Sequence, residues 1–242
     1  MNHIQQVGIF CALEVEAEPI ISGLGLKPAP SPDPSMPMQF FTGKRKKIEV
    51  SLVTAGKDAR HIVDNVGTNA AVLGTYLLLQ SFRPQLVLNV GTAGGMQTSG
   101  LNIADVCIAQ GTARFHDRLT SIEKYQKYAR GDYPIAEASH LARILNLKLG
   151  VVSSGNGFDQ DPTGMAYLIK EGANLKEMEA AAVGWVCWMK GIPFLPVKGV
   201  TDYIEFPEQA AEKFLKSLRE TCNALGSATV RILDYLSENE LK

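Results

Sequence analysis

The chain has 242 residues, 45% of them hydrophobic and 20% charged, and its 24 basic and 25 acidic residues give a net charge of −1. This length suits a single α/β domain over residues 1–242, and the balanced charge argues against a nucleic-acid-binding surface. Four cysteines, widely spaced in apolar stretches, predict free core thiols in a reducing compartment. The N-terminal apolar run Val7–Leu13 is too short for a signal sequence or a membrane span, so we expect a cytoplasmic protein without a membrane partner.

Acidic residues follow the first predicted strand, Val7–Leu13. They open a helix that we expect Pro19 and Gly23 to interrupt: Glu14, Glu16 and Glu18. Acids are common in the first turn of a helix because the helix dipole favours them there. An acid that points back over the strand end would instead face a ligand bound at that edge.

Five prolines between Pro28 and Pro37 predict a surface loop without regular structure. A hairpin of Gln39–Thr42 and Lys47–Ala55 follows the loop, and helical spacing of apolar residues predicts a long helix over Val66–Phe82.

The stretch Pro84–Gly95 predicts a buried strand that runs into a glycine-rich turn with the pattern Gly-x-x-Gly-Gly. The turn lacks both the dinucleotide fingerprint and the Lys-Ser/Thr of a P-loop. Glycine lets the backbone approach a ligand closely and offers N–H groups to a polar oxygen. Asn89 and Thr92 add hydrogen-bonding groups but no positive charge, so a neutral sugar or water is favoured over a phosphate dianion.

The middle of the chain gives a weaker signal. A predicted strand, Ala104–Ala109, is followed by a polar segment that we expect to be irregular as far as Tyr133. Within it, His116 beside Asp117 has the form of a general-base pair. A local or interface hydrogen bond is the commoner role of such a dipeptide, and we favour it.

A helix at Ala136–Leu145 and a strand at Leu147–Ser153 come next, and the strand ends in a turn that carries Phe158. The Phe158 ring at such a turn could stack on a flat ligand, although an aromatic side chain at the edge of a core is the commoner case.

The stretch Lys176–Asp202 organises the rest of the chain. Helix formers run from Ala180 to Met189, and Gly191 supplies a C-terminal cap. The apolar residues Ile192–Val200 then predict a buried strand.

Two carboxylates occupy the ends of these elements. Glu179 begins the apolar helix, and Asp202 ends the buried strand at the edge where α/β sheets bind ligands. Charges beside apolar surface are costly unless they are paired or used. The alternative is that Glu177 and Glu179 are ordinary first-turn acids and that Asp202 caps the next helix; position alone leaves both interpretations open.

A long amphipathic helix is predicted from Glu208, with one face formed by Phe214, Leu215, Leu218, Cys222 and Leu225. Strands alternate with helices throughout the chain, which predicts a three-layer α/β/α sandwich. Polar residues at four strand ends favour a small-molecule site at one edge of the sheet: Glu16, Thr92, Asn156 and Asp202.

Taken together, these residues resemble the nucleoside phosphorylase/nucleosidase superfamily and, within it, methylthioadenosine nucleosidases of the plant type. The resemblance runs from Gly8 to about Leu218 and implies a twisted, mixed central sheet. It rests on five segments in order: Gly8–Glu16, Asn89–Gly95, Phe115–Arg118, Lys176–Ala182 and Val200–Asp202.

The resemblance implies hydrolysis of the N-glycosidic bond of 5′-methylthioadenosine to adenine and 5-methylthioribose. It assigns Asp202 as the general acid to the purine and Glu16 as the group that activates water, with help from Thr92 and Lys198. Glu179 would bind the ribose hydroxyls, with Met178 under the sugar.

The remaining substrate contacts that the resemblance implies are Thr92, Ala93, Gly94, Phe158, Asp159 and Thr201. It also implies a homodimer in which the region of His116 and Leu119 from one copy closes the pocket of the other. No metal site and no cofactor are expected.

Three alternatives remain open. The first is a nucleosidase that cleaves both methylthioadenosine and adenosylhomocysteine, or one that cleaves futalosine. Either would need a different pocket at the 5′ end of the substrate, where the side chains of Gln209–Ala211 are small. We therefore predict adenosylhomocysteine to be a weaker substrate or none. A phosphate-dependent phosphorylase is disfavoured because Asn89, Glu14 and Glu16 stand where that branch carries arginines. A nucleoside-binding protein without activity is disfavoured because all three expected carboxylates are present.

Overall fold

The computed structural model describes residues 4–159 and 162–241. Its strands are β1 (Gln6–Cys11), β2 (Lys27–Ala29), β3 (Gln39–Arg45), β4 (Ile48–Thr54), β5 (Lys57–Asp58), β6 (Val63–Asp64), β7 (Leu86–Gly95), β8 (Val106–Ala109), β9 (Thr112–Phe115), β10 (Tyr133–Pro134), β11 (Lys148–Gly150), β12 (Val152–Ser154), β13 (Leu175–Glu177) and β14 (Phe194–Tyr203). Its helices are α1 (Glu14–Leu24), α2 (Gly67–Phe82), α3 (Glu123–Arg130), α4 (Ser139–Ile144), α5 (Pro162–Lys170), α6 (Ala180–Lys190) and α7 (Pro207–Leu236).

Strand β7 lies at the centre of a mixed sheet. It pairs in parallel with β1 on one side and, over its whole length, with β14 on the other. Beyond β1 come parallel β4 and then antiparallel β3 and β2, while β8 runs antiparallel to β14 and carries β11. The end of β7 also pairs with antiparallel β13, which continues through β12 and β9 to β10. The carboxyl ends of β1, β7 and β14 therefore meet at one edge.

Helices cover both faces of this sheet. Successive residues of β1 show the two cores: Phe10 packs in a cluster with side chains of α2 and α6, and Ile9 in a second cluster with side chains of α1, α4 and α7. The predicted three-layer α/β/α sandwich with a mixed sheet is confirmed. All four cysteines are buried free thiols, as predicted. Within the described part of the chain, no helix combines the length and apolar character needed to cross a bilayer.

The glycine-rich segment 91–95 is part of strand β7, not the turn that we predicted. Residues 91–95 continue β7 because β14 pairs with them through Lys198–Tyr203 and β13 pairs with Gly94 and Gly95. Local sequence favoured a turn, but neighbours on both sides satisfy the extended backbone and outweigh the weak strand preference of glycine.

Prolines interrupt regular structure less than predicted. Helix α1 continues through Pro19 to Gly25, which caps it in the left-handed conformation at φ 63°. Pro19 packs on α7, where a Cβ on Gly226 would lie 2.5 Å from the Pro19 Cβ, so tertiary packing offsets the lost backbone bond. Pro28, predicted to lie in an irregular loop, is part of the short edge strand β2, a position where proline is tolerated.

Two other elements differ from expectation. Helix α3 lies in the segment predicted to be irregular; it is only eight residues long and strongly polar, and none of its side chains is buried, so it lacks the apolar face of a helix that packs on a core. The predicted strand Leu147–Ser153 is divided at Val151, because β11 pairs with β8 and β12 pairs with β13 and β9. Asn174 holds the break by accepting the Val151 N–H on its side-chain oxygen at 2.8 Å.

Candidate active site

A cavity of about 290 Å³ opens where β1, β7 and β14 end, beside the start of α6. This volume lies near the lower end of the range for small-molecule sites. The cavity is lined by Ala12, Leu13, Glu16, Val66, Thr92, Ala93, Gly94, Phe158, Asp159, Lys176, Glu177, Met178, Glu179, Thr201, Asp202, Ile204, Pro207, Ala210 and Phe214.

Glu16 points back from the first turn of α1 over the end of the sheet. Its Oε1 accepts the Thr92 N–H at 2.7 Å and the Thr92 hydroxyl at 2.8 Å, and its Oε2 accepts the Leu13 N–H at 3.1 Å. A Cβ on Gly91 would lie 3.1 Å from Oε1, so glycine there leaves room for the carboxylate. Burial raises the pKa of Glu16 above its ordinary value, although these hydrogen bonds oppose the shift.

Asp202 enters the cavity from the end of β14. The Thr201 hydroxyl donates to its Oδ1 at 2.8 Å, and its Oδ2 lies 3.0 Å from the position that a Cβ on Gly94 would take. Burial raises the pKa of Asp202, and the hydrogen bond from Thr201 and the charge of Lys176 only partly oppose it. A raised pKa favours the protonated carboxyl that a general acid requires.

Glu177 and Lys198 form a buried ion pair beside the cavity. Glu177 Oε2 lies 2.8 Å from Lys198 Nζ, and each side chain is 1% exposed. The Glu177 carboxylate also accepts the N–H groups of Glu179 and Ala180 at the start of α6 and the hydroxyl of Ser154. Burial alone would raise the pKa of Glu177, but Lys198 holds it below its ordinary value.

Glu179 shows the opposite shift two residues later. Its Oε1 accepts the Gly67 N–H at 2.8 Å at the start of α2. Burial, together with the charge of Glu177, raises the pKa of Glu179 to about 7. From the sequence we expected Glu179 in the site and considered Glu177 only as an ordinary first-turn acid; the available signal was a second acid two residues before Glu179.

Lys176 fixes the turn that carries Phe158 and Asp159. Its Nζ donates to the carbonyls of Gly157 at 2.9 Å and Phe158 at 2.5 Å. The Phe158 ring meets Phe214 of α7 edge to face, with centroids 5.4 Å apart, and remains 39% exposed. Lys176 is a second residue that sequence analysis missed, because its role depends on a contact across the turn.

Most of the predicted site residues converge, but three do not line the cavity. Lys198 lies beneath it and reaches it through Glu177. His116 is buried with its Nδ1 3.1 Å from Ser153 Oγ, and Leu119 is half exposed on the surface.

Two polar strand residues that we expected near the site also lie elsewhere. Asn156 accepts the Thr68 N–H at 2.9 Å at the start of α2, and Asn89 is buried inside the sheet. Within the described residues, no group of three or more His, Cys, Asp or Glu side chains is arranged to hold a metal ion.

Comparisons with known proteins identify the family to which the chain is similar. A family model for the phosphorylase superfamily matches residues 6–234. A 5′-methylthioadenosine nucleosidase from Arabidopsis thaliana is 32% identical over 243 residues, covering 100% of this chain and 91% of the relative. A 5′-methylthioadenosine/S-adenosylhomocysteine nucleosidase from the same plant is 32% identical over 236 residues, covering 97% and 92%.

Solved structures agree as well. The apo structure of the Arabidopsis thaliana 5′-methylthioadenosine nucleosidase superposes with a TM-score of 0.95 at 30% identity and covers 99% of each chain. Futalosine hydrolase from Helicobacter pylori superposes with a TM-score of 0.78 at 22% identity, covering 96% of this chain and 98% of that one, a likeness of fold alone.

The free energy of unfolding should fall as the pH rises through about 7, because Glu179 must then ionise inside the cavity. A carboxyl whose pKa is raised by folding stabilises the folded chain fully below its unfolded pKa, near 4.5, and loses that contribution as the pH passes about 7. Glu179→Gln keeps an acceptor for Gly67 and should remove on the order of 3 kcal/mol of this fall. Urea unfolding at a series of pH values measures it.

Glu18→Gln is the matched control, since Glu18 is exposed on α1. It should leave the pH dependence of stability unchanged. If Glu179→Gln and the unaltered chain lose the same stability between about pH 5 and pH 8, Glu179 does not carry the raised pKa.

Proposed function

The chain belongs to the phosphorylase superfamily, and we propose that it is a purine nucleosidase that hydrolyses the N-glycosidic bond of 5′-methylthioadenosine to adenine and 5-methylthioribose. The observation that carries the choice of hydrolysis is the position of Glu16. Its carboxylate accepts hydrogen bonds from the N–H groups of Leu13 and Thr92 and from the Thr92 hydroxyl. These are the donors at this strand edge that a phosphate would need. A carboxylate in that place repels a phosphate dianion and accepts a proton from water.

Asp202 serves as the general acid in this proposal. The Thr201 hydroxyl occupies Oδ1, which leaves Oδ2 to carry the proton. As the bond between the sugar C1′ and the purine N9 breaks, its electron pair passes to the purine, and N7 takes the proton from Asp202. A leaving group that is protonated as it departs no longer carries a negative charge, which lowers the barrier.

Glu16 serves as the base. Water attacks C1′ and gives a proton to the Glu16 carboxylate, so the sugar gains a hydroxyl and adenine leaves with the proton from Asp202. The three hydrogen bonds to Glu16 keep its oxygens oriented, while burial raises its pKa toward the working range of a base. The division of labour parallels that of two-carboxylate glycosidases.

Glu179 binds the ribose hydroxyls, and Met178 packs beneath the sugar. Hydroxyl donors favour the ionised carboxylate, so substrate binding should lower the pKa of Glu179 from its value of about 7 in the free protein. Phe158 stacks on adenine while the backbone at Asp159 reads the edge of the ring. Lys198 pairs with Glu177, and its charge also opposes the rise in the pKa of Glu16, which favours the ionised form that a base requires.

Methylthioadenosine is the preferred substrate because the cavity wall formed by the end of β14 and the start of α7 is apolar. Ile204, Pro207, Ala210 and Phe214 line it. A methylthio group buries well against such a wall, whereas the charged ammonium and carboxylate of adenosylhomocysteine would lose hydration without gaining a partner.

The assay that tests the function incubates the purified protein with methylthioadenosine, with and without phosphate, and identifies the sugar product. We expect adenine and free methylthioribose at the same rate in both conditions. Methylthioribose 1-phosphate formed only with phosphate would show that Glu16 does not exclude the anion. The same assay with adenosylhomocysteine and futalosine ranks the substrates, and a higher kcat/KM for either would contradict our assignment of the apolar wall.

Asp202→Asn should lower kcat by about 10²–10⁴-fold, since the amide cannot deliver a proton to the purine. The thermal midpoint should change little, because Asn keeps an acceptor for the Thr201 hydroxyl. Steady-state kinetics and thermal unfolding measure the two effects. Glu205→Gln, three residues further on and outside the cavity, is the control and should retain kcat. Full activity in Asp202→Asn would mean that another group protonates the purine.

We also propose a homodimer in which the segment His116–Leu119 of one copy closes the cavity of the other. An exposed groove lined by Leu73, Tyr125 and Tyr128 supports this, since exposed apolar side chains of this size gather at interfaces.

Leu119→Asp should give the 26.3 kDa monomer in sedimentation equilibrium and raise KM. Ile144→Asp, an exposed apolar position on the opposite layer, should remain dimeric; a native chain that sediments as a monomer contradicts the proposal.

A further inference from the structure

Strand β14 contains a one-residue bulge immediately before Asp202. Val200 pairs with Ala93 and Asp202 pairs with Gly94, so Thr201 is an extra residue between two adjacent positions of β7. Without the bulge, Thr201 would stand opposite Gly94 and Asp202 would be displaced by one position. Because a shift of one residue reverses the faces of a strand, the bulge decides where the Asp202 carboxyl points.

Two hydroxyl groups of α7 hold the backbone of this bulge. Ser217 Oγ donates to the Thr201 carbonyl at 2.6 Å, and Thr221 Oγ1 donates to the Val200 carbonyl at 3.2 Å. Both side chains are buried. Helix α7 approaches closely here because the strand carries Gly199, where a Cβ would lie 2.5 Å from the Thr221 methyl carbon.

The burial of Ser217 departs from the pattern of the sequence. The amphipathic pattern predicted Leu215 on the buried face of α7, but Leu215 is 73% exposed and Ser217 is buried. A serine at a buried position of a helix gives up the apolar burial of a larger side chain, and at this position it gains the bond to the bulge.

We propose that Ser217 and Thr221 are positioning residues for the reaction: their hydroxyls fix the bulge and thereby aim the Asp202 carboxyl at the leaving group. The inference rests on the proposed function, in which Asp202 is the general acid. Neither hydroxyl touches the cavity. Ser217 acts through Thr201, whose carbonyl accepts its hydroxyl and whose own hydroxyl donates to Asp202, and Thr221 acts through the Val200 carbonyl on the other side of the bulge.

The same helix offers a matched control. Thr229, eight residues after Thr221, is also fully buried in α7 and also donates to a backbone carbonyl, but its acceptor is Leu225 of its own helix at 2.8 Å. Thr221→Val and Thr229→Val therefore remove the same group from the same helix, and only the first change touches β14.

The experiment measures kcat, KM and thermal midpoint with methylthioadenosine for Ser217→Ala, Thr221→Val, Thr229→Val and Ser217→Thr. If the hydroxyls orient the Asp202 carboxyl, Ser217→Ala and Thr221→Val each lower kcat about tenfold and leave KM within about twofold of the unaltered value. The reason is that a small displacement of a reacting group slows the reaction strongly. Thr229→Val loses thermal stability but keeps kcat, and Ser217→Thr, which retains a hydroxyl, recovers most of the activity.

Equal kcat in the unaltered chain, Ser217→Ala and Thr221→Val overturns the positioning role and leaves the proposed function standing. An equal loss of kcat in Thr229→Val overturns it as well, since the effect would then follow stability rather than the bulge. If the unaltered chain leaves methylthioadenosine intact, both the proposed function and the positioning role fall.

Discussion

The buried ion pair between Glu177 and Lys198 is the interaction on which the cavity depends. Two charges 2.8 Å apart, each 1% exposed, are stable only while both are present, because either one alone would be an uncompensated buried charge. The pair also satisfies N–H groups at the start of α6 through Glu177. The pair therefore fixes the start of α6, next to Glu179, and sets the electrostatic environment of the Glu179 carboxyl. With Lys198 neutralising Glu177, Glu179 has no comparable partner, and its pKa rises where that of Glu177 falls.

The carboxylates of Glu16 and Asp202 reach the cavity because the central strand β7 has glycines, without side chains, beneath them. Glu16 and Asp202 come from different elements, yet both lie against glycines of the same strand. A Cβ on Gly91 would be 3.1 Å from Glu16 Oε1, and a Cβ on Gly94 would be 3.0 Å from Asp202 Oδ2. Burial in that close contact raises the pKa of both groups, and backbone or hydroxyl donors hold their orientation. Strand β7 therefore brings the two carboxyl groups together by lying directly beneath both. Neither acid is on a flexible loop, which suits a site that needs fixed geometry.

Much of this arrangement follows from the sequence, because buried strands that end in polar residues are visible as apolar runs. Glu16, Thr92 and Asp202 were found in that way, and they do share one cavity. Contacts between distant segments were not predictable. The glycine segment 91–95 is a strand because β13 and β14 pair with it. Lys198 lies beneath the cavity, where its ammonium pairs with the Glu177 carboxylate. Helix α3 is short, polar and without a buried face, so its sequence lacks the apolar stripe that marks a helix packed on a core.

The bulge in β14 shows why the orientation of the Asp202 carboxyl cannot be predicted from the sequence. From Phe194 to Val200 the strand keeps one register with β7, and nothing in the letters Val-Thr-Asp marks the extra residue at Thr201. A helix that begins five residues after Asp202 brings hydroxyls to two carbonyls at the bulge, and one of them, that of Val200, also accepts the Ala104 N–H at 2.8 Å. In α7 the serine that holds this backbone breaks the apolar pattern of its own helix. The buried Ser217, two residues from the exposed Leu215, gives up apolar packing for a hydrogen bond to the strand that carries Asp202.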